Sequence, residues 1–114
     1  MLKNKDEGVK AEKLGGTGKG CAMRFPVEIP DNDGAFTMTT RIELEPGASI
    51  GYHLHADNEE VYFIMSGEGT YCEDGEKHAV KAGDIMLCRK GHSHGLENTG
   101  AATLVMGAAI AKRG

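Results

Sequence analysis

The stretch "GASIGYHLHADNEEVYFIMSG" (residues 47–67) decides the fold, because it joins two strand-like segments through a short polar turn. Residues i and i+2 of a strand lie on the same side, about 6.6 Å apart. His53 and His55 therefore direct both imidazoles toward one point. "ADN" (56–58) forms the turn, and Glu60 begins an apolar strand that returns alongside. A set of histidine and carboxylate ligands is typical of sites for first-row transition metals.

Short apolar segments separated by glycines continue along the chain. Glycine occurs 17 times and proline only three times, which is typical of an all-β sandwich or barrel. "AFTMTTRIELEPG" (35–47) alternates with a period of two, which predicts a half-buried strand. The face predicted to be buried carries Phe36, Met38, Thr40, Ile42 and Leu44. Further strands are predicted in "EVYFIMSG" (60–67), "DIMLC" (84–88) and "ATLVMGAAI" (102–110).

A hairpin is predicted in "GTYCEDGEKHAVKAG" (69–83), with Asp74-Gly75 as its two-residue turn. The segment "LGGTGKG" (14–20) has the glycines of a phosphate-binding loop. However, Lys19 is followed by glycine rather than serine or threonine, and no apolar strand precedes the segment. We therefore interpret 14–20 as a flexible loop before the first strand.

Composition limits the classes of function. A chain of 114 residues fits one domain, which we divide into an N-terminal arm with the first strand or strands (1–35) and a barrel (36–114). The formal net charge of −4 disfavours a nucleic-acid partner, which would need a basic face. The N-terminus lacks the apolar core of a secretory signal, and no apolar run reaches the roughly 18 residues of a membrane span. The three cysteines are odd in number and form no CxxC motif, so we expect free thiols in a reducing compartment. We therefore expect a cytoplasmic protein.

A second pair of histidines, His92 and His94, lies in "GHSHGLEN" (91–98). Together with the first stretch, this segment resembles the two motifs of the cupin family. The first motif is represented by Gly47, His53, His55, Glu60 and Gly67, at the family's spacing. The second motif is represented by Gly83, Gly91, His94 and Asn98, and Arg89 stands where the family usually has proline. The resemblance spans residues 47–98.

The resemblance implies a small jelly-roll barrel that binds one divalent transition metal through His53, His55, Glu60 and His94. Glu59 is the alternative carboxylate, but only Glu60 leaves six residues before Gly67. We expect iron or manganese, with nickel, zinc and cobalt as alternatives. The motif glycines are expected at positive φ, and Asn98 is expected to satisfy a local backbone group. The competing interpretation is a polar core without a metal, which would be costly to bury.

The reaction stays open at this stage, since a fold does not determine a function. An oxygenase- or decarboxylase-type metalloenzyme acting on a small polar or carboxylate metabolite is slightly favoured. The alternatives are a metal-dependent sugar-phosphate isomerase, which lacks an arginine or lysine cluster near the motifs, and a non-catalytic ligand-binding or sensory protein. Tyr62 and His92 are the candidates for the substrate pocket. Edge strands and a thin core predict a homodimer.

Overall fold

A computed structural model describes residues 2–3, 6–27 and 34–113 of the chain. These residues contain ten β-strands and one short 3-10 turn (Leu14–Gly16). The strands are β1 (Val9–Ala11), β2 (Ala22–Pro26), β3 (Phe36–Leu44), β4 (Ser49–Leu54), β5 (Asn58–Ser66), β6 (Glu68–Glu73), β7 (Glu76–Lys81), β8 (Ile85–Cys88), β9 (Ser93–Glu97) and β10 (Leu104–Lys112). Parts of the predicted N-terminal arm, residues 1, 4–5 and 28–33, lie outside the described residues.

The strands form two antiparallel sheets that enclose the core. The larger sheet has the order β1-β2-β3-β10-β5-β8, and the smaller has the order β4-β9-β6-β7. The core draws on both sheets: Tyr62, Leu104 and Met106 come from the larger, and Tyr71 and Leu96 from the smaller. This arrangement confirms the predicted all-β jelly roll.

The alternation in β3 has the predicted effect on burial over most of its length. Thr40, Ile42 and Leu44 are buried, with at most 7% of each residue exposed, whereas Phe36 is 54% exposed. The reason lies in the pairing with β10, whose register shifts between Ile110 and Ala111, opposite the start of β3. Phe36 is therefore the one wrong assignment on this face.

The predicted hairpin is confirmed by the pairing of β6 with β7. The two turn residues, Asp74 and Gly75, have φ values of 50° and 83°. Positive φ at both central residues is the requirement of a type I′ turn.

The segment 14–20 differs from its prediction. It does not precede the first strand, because β1 comes before it and pairs with β2 at the edge of the larger sheet. It instead packs along β4: Ser49 N donates a hydrogen bond to the Lys19 carbonyl at 2.8 Å, and Lys19 N donates to Ser49 Oγ at 2.9 Å. A side chain at Gly51 would clash with Thr17, so glycine permits this close approach.

No helix in the described residues is long and apolar enough to cross a membrane. The three cysteines, Cys21, Cys72 and Cys88, are free thiols in the structure. Cys88 is completely buried, and this burial raises the pKa of its thiol to about 12.

Candidate metal centre

Four side chains from the two sheets meet at one point in the barrel. His53 lies on β4 opposite His94 of β9, and His55 lies one residue beyond the end of β4. Glu60 reaches the same point from β5 in the larger sheet. One nitrogen or oxygen atom from each of the four side chains lies within 4.8 Å of those of the others.

The separations of these atoms match those of ligands around one metal ion. Glu60 Oε1 lies 3.0 Å from His55 Nε2, 2.8 Å from His94 Nε2 and 3.5 Å from His53 Nε2. The two nitrogens Nε2 of His55 and His94 are 3.0 Å apart. Two ligands bound at right angles, each about 2.1 Å from an ion, are themselves about 3.0 Å apart.

Hydrogen bonds fix the protonated nitrogen of two of the histidines. His53 Nδ1 lies 2.6 Å from the carbonyl oxygen of Gly51, and His55 Nδ1 lies 2.6 Å from Asn58 Oδ1. Both oxygens are acceptors only, so each Nδ1 donates its proton. The Nε2 of each neutral ring therefore carries a lone pair directed into the cluster.

His94 is fixed in the same way through a tyrosine. The Tyr71 hydroxyl donates a hydrogen bond to Glu73 Oε1 at 2.7 Å, so its oxygen is free to accept a hydrogen bond from His94 Nδ1, 3.1 Å away. Ring N–H groups bonded to carbonyl or carboxylate oxygens are the usual supports of metal-bound histidines. Three imidazole lone pairs and one carboxylate thus converge, and this donor set fits a divalent cation.

The charges in the cluster agree with this interpretation. Burial opposes ionisation of Glu60, but the hydrogen bonds and charges of His53, His94 and His55 lower the pKa of this carboxyl to about 2. The hydrogen bond to Glu60 in turn raises the pKa of His53, whereas burial lowers the pKa of His94. A proton held by His53 beside Glu60 can therefore balance the carboxylate, and a bound cation would displace that proton.

The cluster opens into a cavity of about 540 Å³. Apolar residues from the larger sheet, among them Met38, Ile42 and Ile110, form one side of it. The N-terminal arm supplies another side through Glu12, Lys13, Leu14 and Gly15, and Arg24 of β2 also lines the cavity. A second hollow, of about 520 Å³, is lined by Tyr52, Lys77 and Glu97 and contains none of the four cluster residues.

Comparison with known proteins identifies the family. The family model of the cupin domain matches residues 40–109, which is more than half of the chain. This chain is a cupin. The matched range contains all four residues of the cluster and every strand from β4 to β9.

Two curated archaeal and bacterial proteins are similar to this cupin over part of their length. An oxalate-binding protein of Thermotoga maritima is 43% identical over 60 residues, which cover 53% of this chain and 50% of that protein. An uncharacterised protein of Methanocaldococcus jannaschii is 37% identical over 54 residues, covering 47% of this chain and 43% of that protein. The chain spans about half the length of the curated relatives it matches.

Solved structures have a similar fold over most or nearly all of this chain. A predicted oxalate decarboxylase from Thermotoga maritima has a TM-score of 0.89 and 30% identity, covering 98% of this cupin and 99% of that chain. A putative sugar phosphate isomerase from Acidithiobacillus ferrooxidans has a TM-score of 0.67 and 26% identity, covering 79% of this cupin and 60% of that chain.

The structure brings together the four side chains that the cupin motifs single out, and it separates them from two other predicted candidates. Glu60, rather than Glu59, belongs to the cluster; Glu59 Oε2 lies 4.0 Å from Arg113 Nε instead.

His92 is exposed and its Nδ1 contacts Asp74 Oδ2. It is absent from the lining of the cavity, so a role in binding substrate stays a prediction. Arg89, at the family's proline position, is also exposed.

Tyr62 lies beside the cluster and lines the cavity. Its ring stacks on that of His94, with the centroids 4.5 Å apart and the planes 17° from parallel. Burial, followed by the charge of Glu60, raises the pKa of Tyr62 well above its usual value. The phenol therefore stays protonated, and its ring packs against the imidazole of His94.

The other motif residues have structural roles in this cupin. Gly47, Gly67, Gly83 and Gly91 all have positive φ, as expected. At Gly67 a side chain would also lie 2.9 Å from the carbonyl oxygen of Thr103. Asn98 accepts a hydrogen bond from Gly100 N at 3.0 Å, which confirms the expected local contact. It also donates to the carbonyl of Leu44 in β3 at 2.9 Å.

The cavity residues of the N-terminal arm were missed by sequence reasoning. Lys13 and Arg24 lie far from the cupin motifs along the chain, and the only sequence signal was the charge of each residue. Their place in the cavity wall depends on the pairing of β1 with β2 and of β2 with β3. The sequence showed no cluster of arginine and lysine near the motifs, but the fold brings Lys13 and Arg24 together in the cavity wall.

Proposed function

We propose that this cupin binds one divalent transition metal through His53, His55, Glu60 and His94, and that it binds a small carboxylate-bearing metabolite in the adjoining cavity. The observation that carries the proposal is the convergence of three imidazole nitrogens and one buried carboxylate oxygen at one point, with the opposite nitrogen of each ring already hydrogen-bonded. The similarity to an oxalate-binding protein and to a predicted oxalate decarboxylase supports a carboxylate ligand.

Iron or manganese is the proposed metal, ahead of nickel, zinc and cobalt. The cluster combines imidazole nitrogen with carboxylate oxygen and contains no thiolate, so nothing in it favours a soft metal. Four protein ligands leave about two positions of a six-coordinate ion for a ligand. When bound, the metal supplies Lewis acidity at those positions.

Chemistry of the decarboxylase or oxygenase type is the catalytic form of this proposal. Decarboxylation replaces a departing CO₂ by a proton, so a decarboxylase needs a proton donor beside the ligand. Glu12 is the carboxyl group that lines the cavity without belonging to the cluster. We assign it as the candidate donor, and Tyr62 as a ligand contact that also positions His94. His92 joins the ligand contacts only if the ligand extends out of the cavity.

A sugar-phosphate isomerase is the second candidate. The similarity to a putative sugar phosphate isomerase and the presence of Lys13 and Arg24 in the cavity wall favour it. A phosphate group usually requires several cationic or backbone N–H contacts, and here the acidic Glu12 lines the same cavity as the two cations. A non-catalytic binding or sensory protein would use the same metal and the same ligand without turnover.

A homodimer and a cytoplasmic location, both expected from the sequence, stay proposals. The dimer is supported by four large apolar side chains, Phe63, Met65, Ile85 and Leu87, which are exposed on the adjacent strands β5 and β8. Sedimentation of the wild type and of Ile85→Lys tests it, because the variant should shift toward the monomer. Free thiols support a reducing compartment.

Calorimetric titration of oxalate into the manganese-loaded protein tests the proposed function. We expect saturable binding of one oxalate per bound metal, and no binding to the metal-free protein. Measuring formate and CO₂ in the same samples separates a decarboxylase from a binding protein. Oxygen uptake would instead indicate an oxygenase. Tight binding of a sugar phosphate, with no response to oxalate, would contradict the proposal.

A further inference from the structure

Arg24 is an inward-facing arginine in the wall of the proposed ligand cavity. It pairs across the strands with Ile42 of β3 on one side and with Val9 of β1 on the other. Residues directly opposite each other in a sheet project to the same face, and Ile42 is only 4% exposed, in the core. Arg24 therefore projects toward the cavity that it lines.

The charge of Arg24 is not neutralised within the described part of the chain. The ion pairs that arginines form there are those of Arg41 with Glu43 and of Arg113 with Glu59. Arg24 has no ion pair or hydrogen bond of its side chain to a described residue. An arginine fork turned into a cavity without a carboxylate partner is suited to bind a carboxylate of a ligand.

Lys13 adds a second positive charge near the cluster. It adopts left-handed backbone angles, with φ 52° and ψ 41°, at the start of the 3-10 turn. Non-glycine residues in this conformation are uncommon and often occur at functional sites. The turn is held against the cluster, because a Cβ at Gly15 would lie only 2.8 Å from His53 Nδ1.

The balance of charge in the cavity indicates a dianion. Lys13 and Arg24 carry two positive charges in the wall, and Glu12 carries one negative charge when it is ionised, so at least one positive charge is in excess. A divalent ion held by the single carboxylate of Glu60 would leave another. A ligand with two negative charges would neutralise both of these positive charges, since opposite charges attract each other.

The register of the sheet separates the two ends of this ligand. Ile110 of β10 pairs with Glu60 on one side and with Met38 of β3 on the other, so Glu60 and Met38 are at the same height in the sheet. Arg24 pairs with Ile42, four residues further along β3. Four residues of a strand span about 13 Å, part of which the arginine side chain bridges. The second anionic group therefore lies several atoms from the first.

We propose that Arg24 selects dicarboxylates in which a short carbon chain separates the two carboxylates, by binding the carboxylate that is remote from the metal cluster. This inference rests on the proposed function, because it takes one carboxylate to be bound at the cluster. It goes beyond the proposed function in two ways. It names Arg24 as the residue that binds the second carboxylate, and it states how far apart the two carboxylates of the ligand are.

Succinate and butyrate test the inference, because they have equal carbon chains and differ by one carboxylate. Each is titrated calorimetrically into manganese-loaded wild type, Arg24→Gln and Arg41→Gln. Arg41 is the matched control, since it lies on β3 opposite Phe25, with its guanidinium 3.9 Å from the centre of that ring rather than in the cavity. Metal content and thermal unfolding are measured for every sample.

We expect the wild type to bind succinate at least tenfold more tightly than butyrate, since hydrogen bonds to charged groups contribute about this much. Arg24→Gln should abolish the preference without changing metal content, and Arg41→Gln should retain it. If Arg24→Gln does not fold, Arg24→Lys replaces it and should weaken the preference at least threefold, because lysine lacks the bidentate fork.

The outcomes separate this inference from the proposed function. A wild type that binds oxalate but shows no preference for succinate over butyrate overturns the inference and leaves the proposed function standing. A preference that Arg24 variants keep at the wild-type level also overturns it. A metal-loaded wild type that binds neither oxalate nor succinate overturns both.

Discussion

The backbone of Gly15 lies directly against the imidazole of His53. A Cβ atom at Gly15 would lie 2.8 Å from His53 Nδ1 and 2.7 Å from the carbonyl oxygen of Gly51, the acceptor of that ring's proton. The N-terminal arm thus fixes the orientation of one residue of the cluster. This contact joins residues 38 positions apart in the sequence.

Gly15→Ala is therefore expected to weaken metal binding by at least tenfold, because the methyl group displaces His53 or Gly51. Gly16→Ala is the matched control. Gly16 also has a positive φ, 88° against 68° at Gly15, but a Cβ atom there would have no neighbour within 4 Å. Both variants lose stability through backbone strain, and only Gly15→Ala should lose metal affinity. Competition with a fluorescent chelator measures the affinities, and equal losses would contradict the contact's role.

Tyr71→Phe removes the acceptor of the proton on His94 Nδ1. A buried N–H without a partner costs about 1–3 kcal/mol, and loss of such a support typically lowers metal affinity 10- to 100-fold. We expect both effects in denaturant unfolding and in metal titration. Tyr52→Phe is the control, because Tyr52 is half exposed on β4 and lies outside the cluster. Wild-type metal affinity in Tyr71→Phe would contradict the assigned tautomer of His94.

Asn98→Ala should destabilise the fold without a direct effect on the metal. Its completely buried amide donates to the carbonyls of Leu44 and Ala102, both at 2.9 Å, and accepts from Gly100 N. Loss of the three hydrogen bonds of this buried side chain predicts a decrease of about 2–4 kcal/mol in the free energy of unfolding. Thr99→Ala, which removes only an exposed contact to Thr70, should change it by less than about 1 kcal/mol. Urea unfolding of the metal-free proteins makes the comparison, and similar losses in both would contradict the role of Asn98.

Metal binding is expected to raise the thermal stability of the wild type. An ion that binds only the folded state at 1,000 times its dissociation constant adds about 4 kcal/mol. Thermal unfolding with excess Mn²⁺, and again after chelation, should therefore show a large reversible shift. Glu60→Gln, which removes the cluster's only carboxylate, should lose most of that shift. An equal shift in both proteins would place the stabilising ion elsewhere.

The sequence predicted the core of the site because the first pair of histidines is a local signal and the resemblance to the cupin motifs supplied the complete set of ligands. The alternation of β3 and the His53-x-His55 pair specify which side chains share a face, and the pairing of β4 with β9 places His94 opposite His53. The N-terminal arm could not be predicted in the same way. Its glycines are equally consistent with a flexible loop, and the contact of Gly15 with His53 depends on how the arm packs on β4.

The position of Arg24 in the cavity wall could not be predicted from the local sequence either. Its side of β2 follows from its register with Ile42, which no local pattern in a five-residue strand specifies. Phe36 shows the converse, since the alternation placed it inside and an irregularity in the partner strand left it exposed. The pairing between strands that are distant in the sequence thus determined whether Arg24 and Phe36 face the interior, which the local pattern could not.

Quantitative elemental analysis of the purified protein after reconstitution with Mn²⁺ or Fe²⁺ tests the central claim most directly. The same measurement is made on the variant that combines His53→Ala with His55→Ala. We predict about one metal ion per chain in the wild type and none in the variant, because two of the four ligands are gone. No bound metal in the wild type, or equal amounts in both proteins, would contradict the assignment of this cluster as a metal centre.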